Sequence, residues 1–176
     1  MDTPYEQLYY PIPQDPAWNA EVGSIIPWLF GKGVDVGCSN RSPFRDQIRV
    51  DADPWAQAEV QAEVNVLPFK DDTFDYLTAI HVLEHIEDQR QCLLEWRRVV
   101  KPGGIVAIVH PDLEFTGKQK PILPGDANYP WAVHQHERTY KEFMECFVES
   151  GIDNLQVVSS GEACPLWSFH VIFKKI

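Results

Sequence analysis

What most constrains the fold of this chain is a recurrence: short apolar runs follow one another along it, with helical stretches between some of them. The runs are Val34 to Val36, Ile48 to Val50, Ala62 to Val66, Tyr76 to Ile80, Ile105 to Val109, Leu155 to Ser159 and Leu166 to Phe173. Runs of this length bounded by Gly, Pro and Asp are strands by pattern, and strands alternating with helices imply a parallel sheet in a doubly wound α/β fold. Two of the intervening helices announce their own starts. Asp88 and Gln91 form a capping box ahead of Leu93, Trp96 and Val100, which share one helical face, and Lys101-Pro102-Gly103-Gly104 turns the chain into the next strand. Thr139 and Glu142 repeat the capping signal before Phe143, Cys146 and Phe147, with Gly151 as the stop. The last two runs are joined only by Gly161 to Pro165, so they form an antiparallel pair at one edge of the sheet. On the final run Trp167, Phe169, Val171 and Phe173 alternate onto one face, which puts His170 at the surface.

A chain of 176 residues holds one sizeable core, and residues 1–176 are read as a single domain. Within it, residues 1–30 form an N-terminal arm and helix. Pro4, Pro11, Pro13 and Pro16 exclude a long helix at the start, Tyr5, Tyr9 and Tyr10 give the arm apolar surface, and the helix covers Ala17 to about Ser24. With 15 basic residues against 26 acidic ones, a net charge of −11, and with no Lys or Arg run, neither nucleic acid nor an anionic membrane is an expected partner. Apolar stretches such as Ile25 to Phe30 fall far short of a bilayer span, and Met1-Asp2-Thr3-Pro4 lacks the basic start of a secretory leader. Cys38, Cys92, Cys146 and Cys164 form no Cys-x-x-Cys pair, and a reduced, cytoplasmic protein is expected.

In an open parallel sheet, ligands bind beyond the carboxyl ends of the strands where strand order reverses. That rule selects Gly37-Cys38-Ser39-Asn40, Asp51-Ala52-Asp53, His81, and His110-Pro111-Asp112. Gly37 lets a ligand approach the backbone, and Asp51, ending the second strand, can accept hydrogen bonds from a ribose diol. A dinucleotide would require G-x-G-x-x-G, whereas the chain has Gly37-Cys38-Ser39-Asn40-Arg41-Ser42. A nucleoside-bearing cofactor other than NAD is indicated.

The blocks Val34-Asp35-Val36-Gly37-Cys38, Val50-Asp51, Leu67-Pro68-Phe69-Lys70-Asp71-Asp72-Thr73-Phe74-Asp75, His81-Val82-Leu83-Glu84-His85 and Trp96-Arg97-Arg98-Val99-Val100-Lys101-Pro102-Gly103-Gly104 stand in this order. Together they resemble class I S-adenosylmethionine-dependent methyltransferases of the type 11 subgroup, from about Gly33 to Pro111. The resemblance implies a Rossmann-like, mostly parallel seven-stranded sheet of order 3-2-1-4-5-7-6 with the last strand antiparallel, and S-adenosylmethionine as cofactor. It places Asp35 and Gly37, with Cys38 and Ser39 beside them, at the methionine part of the cofactor. Asp51 falls at the ribose, Ala52 against the adenine, and Glu63 and Val64 at the adenine edge; His81, at the mouth of the fourth strand, can face the transferable methyl. Ser39 and Arg41 replace the usual glycines. So few residues separate Gly37 from Asp51 that the first crossover helix must be truncated, as Pro43 also suggests.

The implied activity is methyl transfer to a small-molecule acceptor, with His81, His110, His134 or His136 as the catalytic base. Residues 112–138, which carry Tyr129, Trp131, His134 and His136 without a helical period, are read as a lid. Two rival readings differ in class. One is a catalytically silent methyltransferase-like partner or regulatory subunit; the other is a metal-dependent hydrolase built on His81, His110, Asp112 and His134.

Overall fold

A computed structural model describes residues 15–44, 46–118 and 133–176. The Tyr5, Tyr9 and Tyr10 arm and the lid aromatics Tyr129 and Trp131 lie outside the described residues. The apolar runs form β1 (Gly33–Val36), β2 (Ile48–Asp51), β3 (Val60–Gln61), β4 (Phe74–Ile80), β5 (Val100–Pro111), β6 (Leu155–Cys164) and β7 (Ser168–Lys175). They make one sheet of order β3-β2-β1-β4-β5-β7-β6, parallel through β5, with β7 antiparallel to both of its neighbours. This is the expected order. The reversal between β1 and β4 opens the crevice above their carboxyl ends.

Alternation along the strands sorts side chains onto two faces. Val106 and Ile108 of β5 with Phe169, Val171 and Phe173 of β7 meet α2 (Gln89–Val99) and α4 (Tyr140–Glu149) on one face. Ala107 and Val109 with Ile172 meet Trp18, Val22 and Ile25 of α1 (Pro16–Ile25) on the other. The capping signals produce the expected helices: Asp88 accepts from Gln91 N at 2.9 Å, and Thr139 and Glu142 form a reciprocal capping box.

Arg98 of α2 explains why two of the blocks occur together. Its guanidinium donates to Phe69 O at 2.8 Å, Leu67 O at 3.1 Å, Asp71 Oδ1 at 2.7 Å and Glu95 Oε1 at 2.7 Å, while Glu95 Oε1 accepts from Leu67 N at 2.7 Å. Bidentate geometry of this kind is what arginine supplies and lysine cannot.

Three local expectations are corrected. The third strand is Val60–Gln61 and not Ala62 to Val66, because Trp96 Nε1 donates to Val64 O at 2.8 Å and draws that segment toward α2 instead of the sheet. Lys101 to Gly104 is not a plain turn, since β5 already pairs at Phe74↔Val100 and resumes at Tyr76↔Ile105, leaving those residues as an irregularity within the strand. A Cβ on Gly104 would lie 2.6 Å from Asp75 O, so only glycine fits there. Finally, β7 lies between β5 and β6, so His170 is half-buried inside the sheet and not at its surface. The stretch read as a lid begins with α3 (Leu113–Thr116), capped by Asp112. No helix of the described residues is long and apolar enough to cross a membrane.

Candidate active site

The site begins where β1 ends. Gly37 has φ +66°, and a Cβ there would lie 2.6 Å from Val82 Cγ2, so the chain can make this turn only with glycine. Gly37 N and Cys38 N both donate to Val50 O, at 2.8 and 3.3 Å, which stitches the loop onto β2 instead of launching a helix. No helix forms between β1 and β2 among the described residues. Ser39, at φ +46°, donates its backbone N–H to Asp51 Oδ2 at 2.7 Å, and Asp53 N donates to Asp51 Oδ1 at 2.9 Å.

Below this loop Asp35 is buried, and its Oδ1 accepts from Thr78 Oγ1 at 2.5 Å. Gln47 Nε2 donates in turn to Thr78 Oγ1 at 2.9 Å, while Gln47 Oε1 accepts from Phe44 N at 3.0 Å and Ser42 Oγ at 3.1 Å. Burial pushes the Asp35 carboxyl up to about 7, against the hydrogen bond from Thr78 that favours its charged form.

A cavity of about 640 Å³ opens above these residues, lined by Asp35, Gly37, Cys38 and Ser39 on the loop side and by Ile80, His81 and Trp167 on the far side. Ala17, Trp18 and Glu21 of α1 close it from above. Arg41 fastens that roof, with Nη1 2.6 Å from Asp15 Oδ2 and its guanidinium over the Trp18 ring at 5.7 Å.

His81 follows β4 at φ +55°, in the left-handed region that few residues other than glycine adopt. Its Nε2 lies 2.7 Å from Glu21 Oε1 and its Nδ1 3.3 Å from Glu84 Oε1. Burial alone would lower its pKa, but the hydrogen bonds to Glu21 and Glu84 outweigh it and raise the imidazole to about 10. With both nitrogens facing carboxylates, the ring has no lone pair to offer as a base.

Residues 32–108 match the family described as "Methyltransferase domain", type 11. The chain is 58% identical over 80 residues to the demethylmenaquinone methyltransferase of Bacillus subtilis, covering 44% of this chain and 34% of that enzyme. It superimposes with a TM-score of 0.64 and 16% identity on an S-adenosylmethionine-dependent methyltransferase of Mesorhizobium loti, covering 91% of this chain and 98% of the other. The chain belongs to the class I S-adenosylmethionine-dependent methyltransferases.

The chain is also 30% identical over 149 residues to an uncharacterized protein, MJ1123, of Methanocaldococcus jannaschii, with 74% of this chain and 68% of that protein covered. Other curated relatives are longer, and the chain spans only 23% of the demethylmenaquinone methyltransferase of Lysinibacillus sphaericus.

Within this chain the residues selected from sequence separate into groups. Asp35, Gly37, Cys38, Ser39 and His81 line the cavity, and Asp51 adjoins it through Ser39 N. Ala52 follows β2 with its carbonyl accepting from Gln61 Nε2 at 3.4 Å; Glu63 is exposed, and Val64 is buried under Trp96. Of the histidines only His81 lines the cavity. His110 is fully buried, stacked on Phe169 at 5.3 Å, with Nδ1 2.7 Å from Pro111 O. Burial lowers its pKa, and it belongs to the core between α4 and β7, out of reach of a substrate in the cavity. His134 packs on His85 at 4.9 Å, and His136 Nε2 lies 2.9 Å from Glu87 O. The hydrolase set of His81, His110, Asp112 and His134 is therefore not assembled: among the described residues the one metal-competent group is Glu84, His85 and His134.

Sequence reasoning missed Glu21. It is 3% exposed, lines the cavity, and accepts from Ser168 Oγ at 2.6 Å as well as bonding His81. The signal was present, since Trp18, Glu21, Val22 and Ile25 occupy one helical stripe, and a carboxylate among apolar residues on a buried stripe requires a partner.

Proposed function

We propose that this chain binds S-adenosylmethionine in the cavity above β1 and β4 and transfers its methyl group to a small-molecule acceptor. The supporting observation is the convergence on one cavity of Asp35, Gly37 and Ser39 from the β1 end with Glu21 and His81 from the opposite wall. When bound, the cofactor supplies a methyl group already electrophilic on a sulfonium sulfur, so alignment is most of what the protein must add.

Asp35 and the turn at Gly37 hold the methionine end. Asp51 holds the ribose: a carboxylate offers about four acceptor positions, and two backbone amides leave room for a diol. Ala52, Glu63 and Val64 flank the adenine. An acceptor would sit against Glu21 and Trp167, facing the methyl group that the bound cofactor would supply, and the Glu21 carboxylate would receive the proton it gives up. His81 acts as a positioning residue that fixes Glu21 through Nε2.

Calorimetric titration with S-adenosylmethionine and S-adenosylhomocysteine tests the cofactor half, with saturable binding of both expected and binding of neither overturning it. Glu21→Gln tests the other half: turnover should fall while S-adenosylhomocysteine affinity stays the same. A specific observation keeps the silent-partner reading in view, namely Ser39 and Arg41 at glycine positions with Ser39 held at φ +46°. Failure of the titration would favour it.

A further inference from the structure

Across Glu84 from the cofactor cavity lies a second cluster that methyl transfer does not use. Glu84, His85 and His134 each offer one ligand atom, and these atoms lie within 4.8 Å of one another. The Glu84 side chain is 1% exposed and its Oε2 has no hydrogen-bond partner among the described residues, a costly arrangement for a buried carboxylate unless something positive meets it. His81 satisfies only the other oxygen, Oε1.

The imidazoles are arranged as ligands are. His85 Nδ1 lies 3.1 Å from Val133 O, which fixes the proton on Nδ1 and leaves Nε2, 3.9 Å from Glu84 Oε1, with its lone pair toward the cluster. Glu137 Oε1 faces His134 Nδ1 at 3.5 Å. Ligating histidines commonly hold an outer oxygen partner in this way, which sets tautomer and ring orientation. The elements that bring them together are far apart in sequence: the short turn after β4 gives Glu84 and His85, and the segment leading to α4 gives His134. Gln135 N and His136 N both donate to Glu84 O, at 2.7 and 3.0 Å, so the two segments are fastened to each other at the cluster.

The geometry points to a binding site for a divalent transition-metal cation of the zinc class, held by Glu84, His85 and His134. Two imidazoles and one carboxylate suit such ions and leave a coordination position open for water or a substrate oxygen. Because the Glu84 carboxylate also faces His81, an ion there would be linked through one side chain to the wall of the cofactor cavity.

The test uses the full chain, stripped with chelator and titrated with Co²⁺ and Zn²⁺. About one equivalent of Co²⁺ should bind with visible bands of nitrogen and oxygen ligation and without a thiolate charge-transfer band. His85→Ala and His134→Ala should each weaken Zn²⁺ binding by about 100-fold or more, beyond the loss seen when only an outer partner is removed. Both side chains are about a quarter exposed (24% and 22%), so these variants should fold, which circular dichroism checks. His170→Ala, on β7, should bind as the wild type does. Absence of stoichiometric binding, unchanged affinity in the two histidine variants, or a thiolate band assigning the ion to cysteines would each overturn the site.

Discussion

The passage from β1 to β2 and the passage from β4 to β5 are both crossovers in the same parallel sheet, and they are built by opposite means. Between β4 and β5 the chain follows local rules: Asp88 caps α2, Trp96 and Val99 are fully buried, and Arg98 ties the helix to the loop before β4. Between β1 and β2 there is no helix among the described residues. Two left-handed residues, Gly37 and Ser39, and a set of polar side chains hold the loop through Asp51, Gln47 and Thr78. The β4–β5 crossover stabilises the sheet; the β1–β2 crossover exposes backbone and carboxylates to the cavity. Stability and binding are thus separated along the chain, in keeping with loops carrying function on a rigid scaffold.

The separation can be broken most forcefully at Trp96. Trp96→Ala removes a fully buried ring and leaves Val64 O without its donor, and it should cost about 3–5 kcal/mol in urea unfolding. A loss under about 1 kcal/mol would mean that α2 is not the anchor described.

Asp35 brings a pH dependence to the binding side. Its carboxyl titrates near 7 in the folded chain against an ordinary value of 3.8, so the folded state binds the extra proton between those values. Its stability contribution is fully present below about pH 4 and is lost as pH rises through 7, on the order of 4 kcal/mol in all. Asp35→Asn keeps an acceptor for Thr78 and should remove that slope, as unfolding measured from pH 5 to 8 would reveal. Parallel curves for the two proteins would refute the assignment. A cationic ligand beside Asp35 should also release a proton on binding near pH 6, measurable by calorimetry in buffers of differing ionisation enthalpy.

Asp51→Ala should weaken S-adenosylhomocysteine binding by about 1.5–3 kcal/mol, the range for hydrogen bonds to charged groups, with a smaller loss of stability from releasing Ser39 N and Asp53 N. Unchanged affinity would show that the ribose does not meet β2. The smallest effect sharpens the comparison from the other side. Ser39→Gly relieves a left-handed serine while loosening the unfolded chain, and melting should shift stability by only about 0.5 kcal/mol. A clear gain in cofactor affinity would show that Ser39 tunes binding instead of structure.

Much of the fold was legible because its signals are local. Capping pairs, apolar periodicity and the Gly37 turn act within a few residues, and they marked α2, α4, the strand pair β6 and β7, and the loop at the cavity. The third strand was placed two residues late at its start and five at its end because what draws the segment around Val64 off the sheet is the Trp96 indole, distant in sequence. His110 looked like a strand-end group open to a ligand, but β7 and α4 close over it through Phe169 and Phe143.

By itself the sequence determined the α/β sheet, the family, and the edge of the sheet at which the cavity opens, since these follow from patterns a short window contains. Only the tertiary structure decided what each polar group meets. Glu21 from α1 reaches His81 at the end of β4, His81 shares Glu84 with the His85 and His134 cluster, and His110 is sealed in the core. The physical reason is that the state of a buried carboxylate or imidazole depends on burial and on partners tens of residues away, and those are set when the layers pack, not when the strands and helices form.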